Sequence, residues 1–243
     1  ACPDADGIRR HGLREINMDY AYYPGCSLTG SAKKLDKGVR RIFKMLGHTL
    51  TDIPDWNCCG AFEFGDRKDL IKLSGDNLRK AKGVASEVIA PCPACSRNLK
   101  EANDDEELRV YNPLDLFNKD FLSKLVMKRD LKGQVFTPYY GCVLFRPKET
   151  AIPNGNVMED FVTALGADVA GEKMKDRCCG GAQFFINKGT TEKLSRMILD
   201  QSKGTVVVFC PLCQMALKTF SIKEKIVYFS DLILYVTGEE NKL

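Results

Sequence analysis

Histidine is almost missing from this chain: His11 and His48 are the two in 243 residues, and tryptophan occurs once. Neither histidine stands beside the motifs described below, so no histidine acid or base is assigned. His48 lies in an expected strand and reads as structural. No apolar run approaches the ~18–20 residues that a membrane-crossing helix needs. The first seventeen residues are polar and carry no apolar secretory core, so the expected location is the cytoplasm. There is no Lys/Arg block, basic arm or RNA-binding aromatic signature, and a net charge of +4 suits an ordinary soluble surface. Nucleic acid is therefore excluded as a partner. Also missing are a G-x-G-x-x-G fingerprint and a C-x2-C-x2-C run, so neither a dinucleotide nor a ferredoxin-type cluster is expected on this chain.

Cysteine, by contrast, is abundant, with eleven residues. In a reducing cytoplasm these are not expected to pair as disulfides, and metal or redox chemistry is the better default. Ten of them fall into a repeated register, C-x31-CC-x32-C-x2-C followed by C-x35-CC-x30-C-x2-C. The first copy comprises Cys26, Cys58, Cys59, Cys92 and Cys95. The second comprises Cys142, Cys178, Cys179, Cys210 and Cys213. Matching cysteines are offset by 116, 120, 118 and 118 residues, which marks an internal duplication. The eleventh, Cys2, lies in an N-terminal extension (1–18) and reads as a free thiol. The two copies occupy 19–130 and 131–243.

Each copy has the same expected order of elements. A strand from Asp19 breaks at Pro24-Gly25 and leaves Cys26 in a loop. A helix from about Ala32 to Leu46 carries Leu35, Val39, Ile42, Phe43 and Leu46 at helical spacing and stops at Gly47. Extended chain at 48–53 leads to Cys58-Cys59, and a helix follows over 66–82. A short apolar strand over 84–90 runs into Pro91-Cys92-Pro93-Ala94-Cys95, with a helix from Ser96. An amphipathic helix over 112–129 closes the half. In the second half, strands over 134–140, 168–172 and 205–209 alternate with helices over 156–165, 191–201 and from Gln214, and an apolar segment over 226–237 ends it. Alternation of this kind predicts an α/β fold: two pseudo-symmetric domains, each a small, mainly parallel sheet flanked by helices. The cysteines then lie on loops at the carboxyl ends of strands, where open α/β sheets place ligands.

The chemistry of five thiolates narrows the cofactor. A C-P-x-C run at a strand-to-helix turn places thiols by exposed backbone N–H groups, which favours thiolate. Alone, C-x2-C suits zinc or a thioredoxin-type pair equally, but the latter leaves Cys26 and Cys58-Cys59 without a role. Structural zinc takes four ligands, and an ordinary cubane also takes four. Five thiolates with a vicinal pair suit a larger iron–sulfur centre, while zinc in one half stays open.

The repeated C-x(n)-CC-G-x(n)-C-x2-C pattern, with Tyr23-Pro24-Gly25-Cys26 opening one copy and Cys178-Cys179-Gly180-Gly181-Ala182 in the other, resembles the cysteine-rich CCG domain. More specifically it resembles the catalytic B subunit of heterodisulfide reductase and related enzymes, over about residues 20–238. That resemblance implies a non-cubane [4Fe-4S] cluster on each five-cysteine set. It also implies a small disulfide bound between the clusters and reduced, or formed, by one-electron steps at each, with no protein acid or base. The implied partners are a ferredoxin-like cubane [4Fe-4S] subunit and a flavin-containing subunit within a multi-subunit complex.

The alternative is an electron-relay or anchoring subunit of a larger respiratory or reductase complex, such as the CCG subunit of some succinate:quinone oxidoreductases, with no disulfide chemistry of its own. A zinc-stabilised interaction module is a further rival. Lys33, Lys34, Arg97, Arg146 and Lys148 flank the motifs as candidates for anionic groups or for balancing cluster charge, with solvated faces the plainer reading. Phe62, Phe64, Phe184 and Phe185 follow the vicinal cysteines as candidate cluster walls or core.

Overall fold

The structure, a computed structural model, describes residues 17–61 and 65–243. The first half runs β1 (Asp19–Tyr22), α1 (Gly25–Thr29), α2 (Lys33–Met45), β2 (Thr49–Asp52), α3 (Arg67–Ala81), β3 (Glu87–Ile89), α4 (Pro93–Ala102), β4 (Arg109–Tyr111), α5 (Pro113–Leu116) and α6 (Lys119–Leu122). The second runs β5 (Val135–Tyr139), α7 (Val157–Ala164), β6 (Asp168–Val169), α8 (Lys188–Leu199), β7 (Thr205–Val208), α9 (Pro211–Phe220), β8 (Lys225–Tyr228) and α10 (Phe229–Val236). Each half holds one four-stranded sheet, ordered β2-β1-β3-β4 and β6-β5-β7-β8, and every pairing is parallel. The fold is thus a duplicated α/β unit.

Local sequence accounts for the elements. In α2 the buried Leu35, Val39, Ile42 and Phe43 recur at helical spacing and face the first sheet. Each such fully buried side chain contributes roughly 1.5–3 kcal/mol. The helix ends because Gly47 takes φ +79°, a conformation that costs other residues about 1–2 kcal/mol. Asp66 caps α3 by accepting from the Lys68 N–H. In both α4 and α9 a cysteine is the N-cap and a proline the first helical residue, the position that needs no N–H donor.

Several expectations are corrected. Cys26 sits in the first turn of α1, not in a loop, because Gly25 at φ +64° turns the chain straight into a helix. The segment 112–129 is not one helix. The Asn112 side chain accepts from Leu114 N–H and caps α5, and the Asn118 side chain accepts from Phe121 N–H and starts α6 afresh. An asparagine that caps a new turn interrupts the apolar periodicity around it. The three-residue strand β4 before it was too short to read. The apolar segment 226–237 divides into β8 and α10 at Tyr228. Helix α8 begins at Lys188, earlier than expected, because Asn187 accepts from the Thr190 N–H.

The halves share one continuous core. Phe117 from the first meets Phe209 and Phe229 of the second at ring separations of 6.4 and 6.3 Å, and Phe161 meets Phe229 at 5.2 Å. Helix α10 lies against α2 so closely that a Cβ on Gly38 would stand 2.7 Å from Ser230 Oγ. Lys34, at the start of α2, pairs with the buried Asp231 of α10 at 3.0 Å. Among the described residues no helix is long and apolar enough to cross a membrane. The N-terminal extension, with Cys2 and His11, lies outside the described residues apart from its last two positions.

Candidate metal centre

In the first sheet the chain leaves β1 toward β2 on one side and β3 on the other, so the order reverses between β1 and β3. A crevice opens at the strand carboxyl ends at such a switch point. Cys26 follows β1, Cys58 and Cys59 follow β2, and Cys92 and Cys95 follow β3 at the start of α4. The second sheet repeats this with Cys142 after β5, Cys178 and Cys179 after β6, and Cys210 and Cys213 after β7. All ten are free thiols.

Matching hydrogen bonds hold each vicinal pair in place. The Tyr23 hydroxyl donates to the Asn57 carbonyl at 2.6 Å, and the Tyr139 hydroxyl donates to the Arg177 carbonyl at 2.6 Å. The Cys59 carbonyl accepts from Ser74 Oγ at 3.0 Å and Asn98 Nδ2 at 2.8 Å. In the second half the Cys179 carbonyl accepts from Ser195 Oγ at 3.1 Å and the Gly180 carbonyl from Thr191 Oγ at 2.8 Å. The glycine that closes each CCG is required by geometry. Gly60 has φ +71° and its Cβ would stand 2.9 Å from Leu70 Cβ; Gly180 has φ +75° and its Cβ would stand 2.8 Å from Thr191 Cα.

The sulfurs converge. Cys59 Sγ approaches Cys95 Sγ at 3.1 Å, and Cys179 Sγ approaches Cys213 Sγ at 3.4 Å. Both contacts are sulfur–sulfur hydrogen bonds within one five-cysteine set. Among the described residues no group of three or more His, Cys, Asp or Glu side chains is arranged to hold a single metal ion. Backbone N–H groups of Gly180 and Gly181 donate to Cys178 Sγ and Cys179 Sγ, each at 3.3 Å. Glycine also precedes the first cysteine of each set, and a Cβ there would meet a sulfur: Gly25 to Cys95 Sγ at 3.2 Å, Gly141 to Cys213 Sγ at 2.8 Å. Bare backbone against sulfur, amide donors to thiolates and an all-cysteine donor set fit an iron–sulfur group.

Electrostatics carry the same pattern. The hydrogen bond from Cys142 lowers the Cys178 pKa to about 6, assisted by the Gly180 N–H. Cys95 and Cys213 are pushed up by their sulfur hydrogen bonds, with Cys59 and Cys92 in one set and Cys179 and Cys210 in the other, and by burial. Burial raises Tyr23, and Cys95, Cys59, Cys58 and Cys26 all add to it, so four of the five cysteines of the first set act on one ring. Tyr139 is raised by burial and then by Cys213, Cys179, Cys142 and Cys210. Tyr228 is raised by burial and then by Cys210, Asp231, Cys92 and Cys213. It therefore lies within electrostatic reach of both sets, which are neighbours across the joint between the halves.

Other sequence-predicted residues sort clearly. His48 packs against Tyr20, Phe43 and Phe121, accepts from the Met18 N–H at 3.3 Å, and is structural. Lys34 pairs with Asp231, Arg97 with Glu101 at 3.9 Å and Arg146 with Asp176 at 2.5 Å, while Lys33 and Lys148 are exposed. Phe185 is exposed and is neither a wall nor core, because its turn carries it outward; Phe184 is half-buried. Phe62 and Phe64 lie outside the described residues. The residues missed by sequence reading are the supports Tyr23, Tyr139, Ser74 and Ser195. Aligning the two copies would have exposed them, since each pair recurs near the cysteine offset.

The family pattern of the CCG cysteine-rich domain matches residues 20–100 and again 136–218. The 8-methylmenaquinol:fumarate reductase membrane anchor subunit of Wolinella succinogenes is 26% identical over 237 residues, 84% of this chain and 84% of that protein. A crystal structure of a hypothetical protein from Helicobacter pylori superposes with a TM-score of 0.71 at 12% identity, covering 93% of this chain. The chain spans 51% of that structure's length, and the likeness concerns the fold alone.

Proposed function

The chain belongs to the CCG cysteine-rich domain family, in two copies, and from that premise we propose that it is a membrane-attached electron-transfer subunit of a multi-subunit reductase complex. The observation that carries this reading is that the switch-point crevice of each sheet gathers cysteines from the ends of three strands, with sulfur–sulfur approaches of 3.1 and 3.4 Å, and that Tyr228 is within electrostatic reach of Cys210, Cys92 and Cys213. In this reading Cys26, Cys58, Cys59, Cys92 and Cys95 hold one non-cubane [4Fe-4S] cluster, and Cys142, Cys178, Cys179, Cys210 and Cys213 hold the other. The boundary between the halves falls at 130/131. When bound, each cluster supplies a one-electron couple.

The chain's own groups prepare that site. Gly25 and Gly141 leave room for sulfur where any side chain would collide. The Gly180 and Gly181 N–H groups stabilise thiolate over thiol at Cys178 and Cys179. Tyr23 and Tyr139, both buried, keep water from one side of each set. The relative's place as a membrane anchor subunit of a reductase supports relay and attachment. The partners fitting this role are a cubane-bearing ferredoxin-like subunit and a flavin subunit, with the chain on the cytoplasmic side of the membrane.

A finer reading has this chain reduce a small disulfide to two thiols with two electrons and two protons. The adjacency of the two sets favours it, because two one-electron donors then face one space. Anaerobic iron, sulfide and zinc analysis of the complex, with EPR before and after adding thiols, separates these readings. About eight irons per chain without a thiol-dependent signal supports the relay. The same iron with a thiol-dependent signal supports disulfide chemistry, and stoichiometric zinc in place of iron rules out both.

A further inference from the structure

Three large apolar side chains stand almost fully in solvent on the second half. Phe185, Ile186 and Ile222 are 77%, 80% and 85% exposed. They occupy two separate turns, one between Gly181 and α8, the other between α9 and β8. Phe184 ties the two turns together, its ring 5.2 Å from that of Phe185 and 6.1 Å from that of Phe220, two residues before Ile222. The three apolar tips therefore rise from adjoining turns. Exposed apolar groups gathered in this way mark an interaction surface, whereas isolated ones do not.

The charge around the patch is mainly positive. Lys188 and Lys193 flank the first turn, Lys223 and Lys225 the second; all four are exposed, and among the described residues none makes an ion pair. The acidic residues nearby are engaged. Glu192 pairs with Arg196 at 2.8 Å, and Glu224 accepts from Ser221 Oγ and from the N–H groups of Ile222 and Lys223. A rim of free ammonium groups on flexible stems around aromatic and aliphatic tips complements an anionic lipid surface. The tips enter the acyl boundary while the lysines stay at the headgroups.

We infer that this patch is the membrane-binding surface of the chain, and that its partner is a bilayer rich in anionic lipid. The inference rests on the membrane-attached reading above and supplies the contact that reading requires. Because the first turn follows Cys178-Cys179-Gly180-Gly181 directly, the second cysteine set would be the one nearer the lipid.

The test uses the full chain, loaded with its clusters, in flotation with phosphatidylcholine vesicles and with vesicles containing about a third phosphatidylglycerol. The wild type is expected to float with the anionic vesicles, and to be released by 0.5 M salt as the lysine contribution is screened, roughly. Phe185→Ser/Ile186→Ser/Ile222→Ser should weaken vesicle partition at least about tenfold. Lys188→Gln/Lys223→Gln/Lys225→Gln should remove most of the preference for anionic over neutral lipid. Absence of wild-type binding to either vesicle, or unchanged binding by the triple-serine variant, overturns the inference. So does a triple-serine variant that loses its place in the reductase complex while still floating normally, since the patch would then dock a protein subunit. Iron and sulfide are measured on the same samples. Wild-type protein that floats but carries zinc would sink the electron-transfer reading and leave the lipid surface standing.

Discussion

Substituting Gly141 by alanine tests directly whether the second crevice is shaped around sulfur. Gly141 has φ +78°, and a Cβ there would stand 2.8 Å from Cys213 Sγ. The backbone conformation alone costs an alanine about 1–2 kcal/mol. Forcing a methyl against a buried sulfur adds overpacking of about 1–3 kcal/mol. The expected destabilisation is therefore roughly 2–5 kcal/mol. Gly133 provides the control, since it has φ +72° with nothing within 4 Å of its would-be Cβ, so its alanine variant should lose only the backbone share. Urea unfolding of the reduced, metal-free chains under argon measures both. Iron uptake on reconstitution gives the second readout, because relieving the clash moves Cys213 out of position. Equal losses for Gly141→Ala and Gly133→Ala, with equal iron retention, would refute the packing of that glycine against the thiol.

Three other outcomes follow from the geometry. Cys59→Ser should remove about half of the bound iron while leaving the second half's share intact, as should Cys179→Ser with the halves exchanged; loss of all iron from either one would show that the sets do not load independently. Ser74→Ala and Ser195→Ala each delete one hydrogen bond to a vicinal-cysteine carbonyl and should cost about 1 kcal/mol in unfolding, with no loss in Ser195→Ala refuting its part in holding Cys179. Lys100→Met removes the partner of the buried Asp115, 2.7 Å away, and should cost about 3 kcal/mol at pH 7. Burial holds the Asp115 pKa above its ordinary value, against the pull of Lys100. Its folded form thus binds a proton more tightly than the unfolded chain does, which favours folding below the unfolded carboxyl value of about 3.9 and loses that support as pH rises through the folded value. The Lys100→Met deficit should therefore shrink toward pH 4, and a deficit independent of pH between 4 and 7 would contradict it.

Much of the fold was legible because its signals are local. The α2 stripe of Leu35, Val39, Ile42 and Phe43 and the stop at Gly47 specify that helix without help from the rest of the chain. The helices α4 and α9 were expected too, but from Ser96 and Gln214; they begin three residues earlier, at Pro93 and Pro211, because proline suits the first helical position. What failed was set by competition between local choices. Over 112–129 apolar spacing argued for one helix, but the capping side chains of Asn112 and Asn118 stabilise two shorter ones. The ten cysteines could be read from spacing, whereas their supports show only when the two copies are aligned. Ser74, Asn98 and Ser195 act through backbone carbonyls 15 to 39 residues away in sequence. Nothing in their own neighbourhoods distinguishes them from ordinary helix residues.

The duplication also explains why the sites are paired and not merely repeated. Equivalent positions in the two halves have taken different roles at the joint: Asn112 donates to the Ala90 and Pro91 carbonyls at 3.3 and 3.0 Å beneath the first set, while its counterpart Tyr228 reaches toward Cys92 as well as Cys210. An asparagine can serve only the backbone beside it. A buried tyrosine in the same place lies within electrostatic reach of cysteines from both sets. Because Phe117, Phe209 and Phe229 join both halves in one core, the separation of the two cysteine sets is set by packed side chains, not by a linker. Electron transfer between fixed centres depends on that distance remaining constant. A shared aromatic core thus gives the duplicated chain a property that two tethered single domains would lack.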